Sequence, residues 1–290
     1  FATHPYSFND SIDSSELLLN VENVTYERFV GFYKRIFTQE EFDKYDFRQM
    51  FEEDKKNSFS GFRSFCHQIF SRNLGLISLT TNPLNILMWS HYSSEDGFMI
   101  ELDKKVLLDN IVGYNEDVKN YCFRPVQYVD ELERIDMFQE GFTTPDLSFL
   151  YMTNVKRSEW QYEDEWRLSI YKTNMGIPFK YMNPGFENYA GRENRKAHYP
   201  KESLKSIVLG KYFFNGNNCS KVFEDGTFLV SDQDFLDLID YLIENHNDKI
   251  FMSGELQKGE KFGRSISKIK LHKVETNKIL MEELDEVHYN

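Results

Sequence analysis

The chain has 290 residues, 40% hydrophobic and 16% aromatic, with 26 Phe and 17 Tyr. That is enough apolar material to offset the entropy of ordering a core, and it excludes disorder over most of the length. Lys and Arg number 34 against 47 Asp and Glu, a formal net charge of −13, which argues against broad nonspecific nucleic-acid binding, because that needs a cationic footprint.

In chain order, Tyr26, Phe29, Val30, Tyr33 and Phe37 recur at helical spacing, so residues 22–37 are predicted as a helix. Thr38 with Glu41 has the pattern of a capping box for a second helix over 39–56, and a third follows near 60–72. The run 76–80 after Gly75 is predicted as a strand. Asn82-Pro83 starts a short helix carrying Leu84, Leu87 and Met88. After Gly97, residues 98–103 alternate Phe98, Ile100 and Leu102 with Met99, Glu101 and Asp103, a strand pattern. Residues 121–129, 162–171 and 204–209 are further predicted strands. The clearest helix is 231–246, with Phe235, Leu238, Ile239, Leu242 and Ile243 on one face and Ser231 or Asp232 as cap. Strands over 249–257 and 264–274 follow.

Helices crowd the first quarter and strands dominate the rest. The expected fold class is α+β, with N-terminal helices and a mainly antiparallel, twisted sheet. Neither a repeat nor a Pro/Gly/Ser-rich linker divides the sequence, so residues 1–290 are expected to form a single domain, with 20–72 as a helical elaboration within it. No run approaches about 18 apolar residues, so no membrane-spanning helix and no membrane partner are expected. Cys66, Cys122 and Cys219 are odd in number and far apart, without zinc-ligand spacing, so the expected location is a reducing cytoplasm. Position 1 is Phe and no signal segment follows, which suggests a start partway into a longer protein. The densest basic stretch, Arg192, Arg195, Lys196, His198, Lys201 and Lys205, is expected to be a solvated loop.

Two constellations carry chemistry. In a strand over 162–171, alternate residues share a face. Glu163, Glu165, Arg167, Ser169 and Tyr171 would then project together, opposite Tyr162, Asp164, Trp166, Leu168 and Ile170. Two carboxylates about 7 Å apart raise each other's pKa while Arg167 opposes the shift, a set suited to proton transfer or to stabilising a cationic transition state. A wet outer face with surface ion pairs is the plainer reading of the same pattern. The second constellation is Trp89-Ser90-His91-Tyr92, where a short helix gives way to a turn. His91 can act as acid or base near neutral pH, Tyr92 offers a stacking face and a hydroxyl, and Ser90 can orient either. The plainer reading there is local packing and a turn-stabilising hydrogen bond. No second His is spaced to help His91 bind a metal with Glu163 and Glu165, so no metal site is expected.

Together, His4-Pro5-Tyr6-Ser7-Phe8-Asn9-Asp10, Leu87–Asp103, Trp160–Leu168 and Leu204–Gly210 resemble, in order, a bacterial family catalogued as a domain of unknown function. That family usually has Pro where this chain has Ser11, and an additional Tyr-rich, basic strand before the Phe-Asn-Asp segment. Its motif order is similar to that of ADP-ribosyltransferases. The similarity implies NAD as substrate: Glu165 would bind the nicotinamide ribose and stabilise the oxocarbenium-like centre, and Glu163 would align or deprotonate the acceptor. Tyr92 or His91 would stack on or orient nicotinamide with support from Ser90. Arg167 and Tyr171, on the same predicted face, complete the expected cofactor-binding set. The expected function is thus an NAD-consuming ADP-ribosyltransferase or NAD glycohydrolase with a toxin or phage-defence role, acting on a macromolecular acceptor or under a regulatory protein. Two alternatives stand beside it. One is a metal-dependent nuclease or phosphodiesterase in which Glu163 and Glu165 hold a divalent cation with Glu101 or Asp103, assisted by His91 or Arg167. The other is a non-catalytic sensor or interaction module.

Overall fold

The computed structural model describes residues 2–138, 146–173, 175–176, 192–215, 219–258 and 261–287. In chain order the elements are β1 (Leu19–Asn20), α1 (Tyr26–Ile36), α2 (Gln39–Phe42), α3 (Phe47–Lys56), α4 (Ser60–Ser71), β2 (Leu74–Thr80), α5 (Ile86–Ser93), β3 (Phe98–Leu102) and α6 (Lys104–Asn110). They continue with β4 (Val118–Pro125), β5 (Gln127–Val129), β6 (Ile135–Asp136), α7 (Asp146–Met152), β7 (Val155–Arg157) and β8 (Glu165–Lys172). The last are β9 (Leu204–Leu209), β10 (Cys219–Val222), β11 (Thr227–Val230), α8 (Gln233–His246), β12 (Ile250–Lys258), β13 (Lys261–Glu275) and β14 (Lys278–Val287). The fold class is α+β. Among the described residues no helix is long and apolar enough to cross a membrane.

Capping residues set most helix starts. Thr25 accepts from the Arg28 N–H, and Thr38 and Glu41 complete the expected capping box. The single helix expected over 39–56 is two, because Asp46 accepts from the Arg48 and Gln49 N–H groups and restarts the chain as α3. The short helix after Pro83 begins later than expected, where Asn85 caps Leu87 and Met88. The strand expected over 162–171 begins only at Glu165, because residues Ser158–Glu163 form a 3-10 turn that ends at Asp164 with φ 45°.

The chain divides into two compact units. The first comprises Phe1–Thr81 and Asn115–His198. Its three-stranded antiparallel sheet has the order β2-β8-β4, and two short parallel pairs, β1 with β6 and β5 with β7, form separate two-stranded sheets. Its core is an aromatic cluster: Phe29, Phe32 and Tyr33 of α1 are buried against Phe51, Phe59, Phe62 and Phe138. The rings meet at 5.0 Å for Phe29 and Tyr33 and 5.1 Å for Phe62 and Phe138, the spacing at which edge-to-face and offset pairs add to area burial. The basic stretch is not uniformly solvated. Arg195 is buried, donating to the carbonyls of Leu74 at 2.8 Å and Gly176 at 2.6 Å, and burial lowers its pKa to about 10. Lys196 and His198 are exposed as expected.

The second unit comprises Asn82–Tyr114 and Tyr199–Asn290. Its seven-stranded sheet has the order β10-β11-β14-β13-β12-β9-β3, antiparallel except between β9 and β12. The apolar stripe of α8, Phe235, Leu236, Ile239 and Leu242, packs with Ile207, Leu209, Ile250, Ile269 and Leu271 from one face of the sheet. Val208, between two residues of that face, instead joins Trp89 and Ile266 in a separate small cluster, as strand alternation requires. Lys201 and Lys205 are exposed.

Candidate functional site

The Glu-x-Glu segment lies in the first unit, and its carboxylates are interior. Asp13, Lys156, Glu163, Glu165 and Arg167 are each no more than 5% exposed. Three carboxyl groups and two cations thus share one buried site. The β8 backbone delivers Glu165 and Arg167 to the same face, with Glu165 opposite Thr80 and Arg167 opposite Ser78 of β2. Glu163 arrives differently. The left-handed turn at Asp164 breaks the pleat, so its carboxylate reaches the site from the 3-10 turn rather than from the strand. Thr80 Oγ1 donates to the Glu163 carbonyl at 2.8 Å, and Thr81 Oγ1 to the Asp164 carboxylate; both pin that turn.

Arg167 uses its whole fork. Nε donates to Glu165 Oε1 at 2.8 Å, Nη1 to Asp13 Oδ1 at 2.8 Å and the Thr153 carbonyl at 2.6 Å, and Nη2 to Asp13 Oδ2 at 2.5 Å and Glu165 Oε2 at 3.2 Å. A guanidinium has five N–H donors, and these bonds engage all of them. The Phe8 ring lies 4.7 Å from Cζ, within cation–π reach. Lys156 Nζ is 2.7 Å from Glu163 Oε2, 2.7 Å from Glu165 Oε2 and 3.5 Å from Asp13 Oδ2. The Glu165 N–H donates to Tyr128 Oη at 2.9 Å.

Burial alone would raise the Glu165 pKa. The adjacent Arg167 and Lys156 outweigh it and hold the carboxyl at about 2, below its ordinary 4.5. The same carboxylates outweigh desolvation at Lys156 and Arg167 and push both cations above their ordinary values. Glu165 is therefore ionised at neutral pH and unsuited to donating a proton there. The arrangement can fix a local geometry and present a permanent negative charge.

The other candidates are distributed as follows. Ser169 is buried and Tyr171 half-buried on β8, the Tyr171 ring 6.2 Å from Phe70. The plainer alternative of a wet outer face does not hold: Glu165, Arg167 and Ser169 face inward, where Asp13 and Lys156 supply internal partners. Ser90, His91 and Tyr92 belong to the second unit and are exposed on the last turns of α5, while Trp89 is buried and donates Nε1–H to the Pro83 carbonyl at 2.8 Å. Glu101 accepts from Ser206 Oγ at 2.6 Å, and Asp103 caps α6 by accepting from the Val106 N–H at 3.0 Å. Among the described residues no group of three or more His, Cys, Asp or Glu is placed to hold a metal ion; the Lys156 ammonium sits among the three carboxylates. Sequence reasoning missed Asp13 and Lys156. Asp13 lies 154 positions from Arg167, so no local pattern links them, and Lys156, seven residues before Glu163, comes from a separate strand, β7.

A family model described as a protein of unknown function (DUF2971) matches residues 88–168. The match takes in Ser90, His91, Tyr92, Lys156, Glu163, Glu165 and Arg167, and leaves Asp13 and Tyr171 outside. No curated protein and no solved structure matches the chain.

Proposed function

We propose that this chain is a non-catalytic interaction or sensor module in which the Asp13–Lys156–Glu163–Glu165–Arg167 cluster is an internal brace. The observation that carries the reading is the burial of all five side chains, with every Arg167 donor already engaged inside the unit. A carboxylate that serves a ribose or a nucleophile needs access to it. A fully paired, buried set instead specifies how β7, β8, the 3-10 turn and the Asp13 loop meet.

A second reading, NAD-consuming glycosyl transfer, has one observation in its favour. A carboxylate held ionised, as at Glu165, is the form that stabilises an oxocarbenium-like centre. The metal-dependent phosphodiesterase reading has no comparable support, because Lys156 takes the position a divalent cation would need. One experiment separates the first two. The full chain is incubated with NAD and nicotinamide release is followed chromatographically, for wild type and Glu165→Gln. The module reading expects no release above background from wild type. Release that Glu165→Gln abolishes, in a variant whose circular dichroism is native, overturns it in favour of glycosyl transfer.

A further inference from the structure

The second unit holds a cavity of about 420 Å³ where the last turn of α8 and the loop after it meet β13 and β14. Ligand sites span about 300–1,000 Å³, so the volume admits a small molecule. Part of the lining is acidic: Glu244, near the C-terminal end of α8, and Asp248, just beyond it. The negative end of the helix dipole lies on that side too. Another part is basic: Lys268 and Lys270 of β13, on either side of the buried Ile269. Ile243 and Leu284 supply apolar surface. Among the described residues none of the four charged side chains is engaged in an ion pair or hydrogen bond. Glu282, the cross-strand neighbour of Lys270, pairs with His272 at 2.8 Å instead. Asn247 ties the loop to β13: its Oδ1 accepts from the Leu271 N–H at 2.9 Å, and its Nδ2 donates to the Leu271 carbonyl at 2.8 Å. Two carboxylates and two ammonium groups thus line one cavity without pairing with each other.

We propose that this cavity binds a small zwitterion with its charges at opposite ends, the chemistry of a short free peptide. The ligand carboxylate goes to Lys268 and Lys270, its ammonium to Glu244 and Asp248, and an apolar side chain to Ile243 and Leu284. A simple anion would meet the lysines but also two carboxylates, and a simple cation the reverse; a ligand carrying both signs satisfies both sides. A sphere of the cavity's volume is about 9 Å across, and two residues at about 3.5 Å each span about 7 Å, so a dipeptide fits end to end. Charge complementarity of this kind sets specificity more than affinity. The inference stands on the second unit alone and goes beyond the reading of the first-unit cluster, so neither result bears on the other.

The test is a ligand-observed NMR titration of the full chain with three probes: glycyl-leucine, N-acetyl-glycyl-leucine and glycyl-leucinamide. Glycyl-leucine is expected to bind saturably with a dissociation constant on the order of 1 mM. Blocking either terminus removes one set of charge contacts and is expected to weaken binding by roughly fivefold or more. This comparison needs only the wild-type chain. Two paired substitutions then assign the ends. Lys268→Ala with Lys270→Ala is expected to weaken glycyl-leucine by a similar factor. Glu244→Gln with Asp248→Asn is expected to weaken glycyl-leucine but not the N-acetyl probe, which has no ammonium to lose. These side chains make no internal bonds, so both variants keep the wild-type melting temperature. Failure of glycyl-leucine to bind at about twenty times the expected constant overturns the proposal. So does equal binding of the N-acetyl probe, which marks an anion site, equal binding of the amide, which marks a cation site, or binding indifferent to all four substitutions.

Discussion

Replacing Arg167 with Met is the sharpest perturbation of the first unit. Met approximates the aliphatic stem and removes the guanidinium, so Asp13 and Glu165 lose their shared cationic donor and three buried carboxyl groups are left to share the Lys156 charge. Breaking a buried pair by deleting one partner costs about 3–5 kcal/mol. At about 2–4 °C per kcal/mol for a domain of this size class, the melting transition should fall by roughly 6–20 °C. Arg167→Lys keeps the charge but offers three donors in place of five and cannot span two carboxylates bidentately, so its loss should be intermediate. Scanning calorimetry reads both. An Arg167→Met transition within about 2 °C of wild type would show that the cluster behaves as a solvated surface pair, and the reasoning would fail.

Acid should reveal the same cluster. The Glu165 carboxyl titrates at about 2 in the folded chain against an ordinary 4.5. Its contribution, roughly 3 kcal/mol, is fully present above the higher value and lost as pH falls from there toward the lower. Denaturant titrations across that window should show a shallower fall for Glu165→Gln than for wild type; parallel curves would contradict the shift. Two glycines should respond oppositely. A Cβ on Gly210 would collide with the Glu95 backbone, whose carbonyl carbon lies 2.7 Å away, so Gly210→Ala should destabilise the second unit by about 1–3 kcal/mol or more. At Gly31, inside α1, nothing lies within 4 Å of the added carbon, and Gly31→Ala should stabilise by about 0.5–1 kcal/mol. Equal and same-signed shifts in melting temperature would refute that contrast. Phe29→Ala, at the centre of the aromatic cluster, should cost about 3–5 kcal/mol by chemical denaturation; a cost under about 1 kcal/mol would mean that the rings repack freely.

Local physics was readable in the sequence where it is strongest. The stripes of α1 and α8 and the Thr38–Glu41 box follow from spacing alone. Strand β14, Lys278–Val287, was missed because Glu282, Glu283, Asp285 and Glu286 mask its alternation. It is held by β13, where Lys270 and Lys268 stand opposite Glu282 and Asp285. The period-two argument placed Glu163 and Glu165 on one strand face, but the turn at Asp164 interrupts the strand between them. The two carboxylates still converge, through Lys156. Which way a polar face points depends on partners remote in sequence, and neither Asp13 nor Lys156 could be assigned to it from spacing. At β3 the apolar row Phe98 and Ile100 was legible, yet it remains exposed because the strand is the last of its sheet.

Asp13 and Arg167 act as members of one buried unit. A double-mutant cycle with Asp13→Asn, Arg167→Met and the combined variant, read by denaturant unfolding, measures it directly. The expected coupling energy is above about 1 kcal/mol and up to about 3 kcal/mol. A coupling below about 0.5 kcal/mol, the range of exposed pairs, would contradict it.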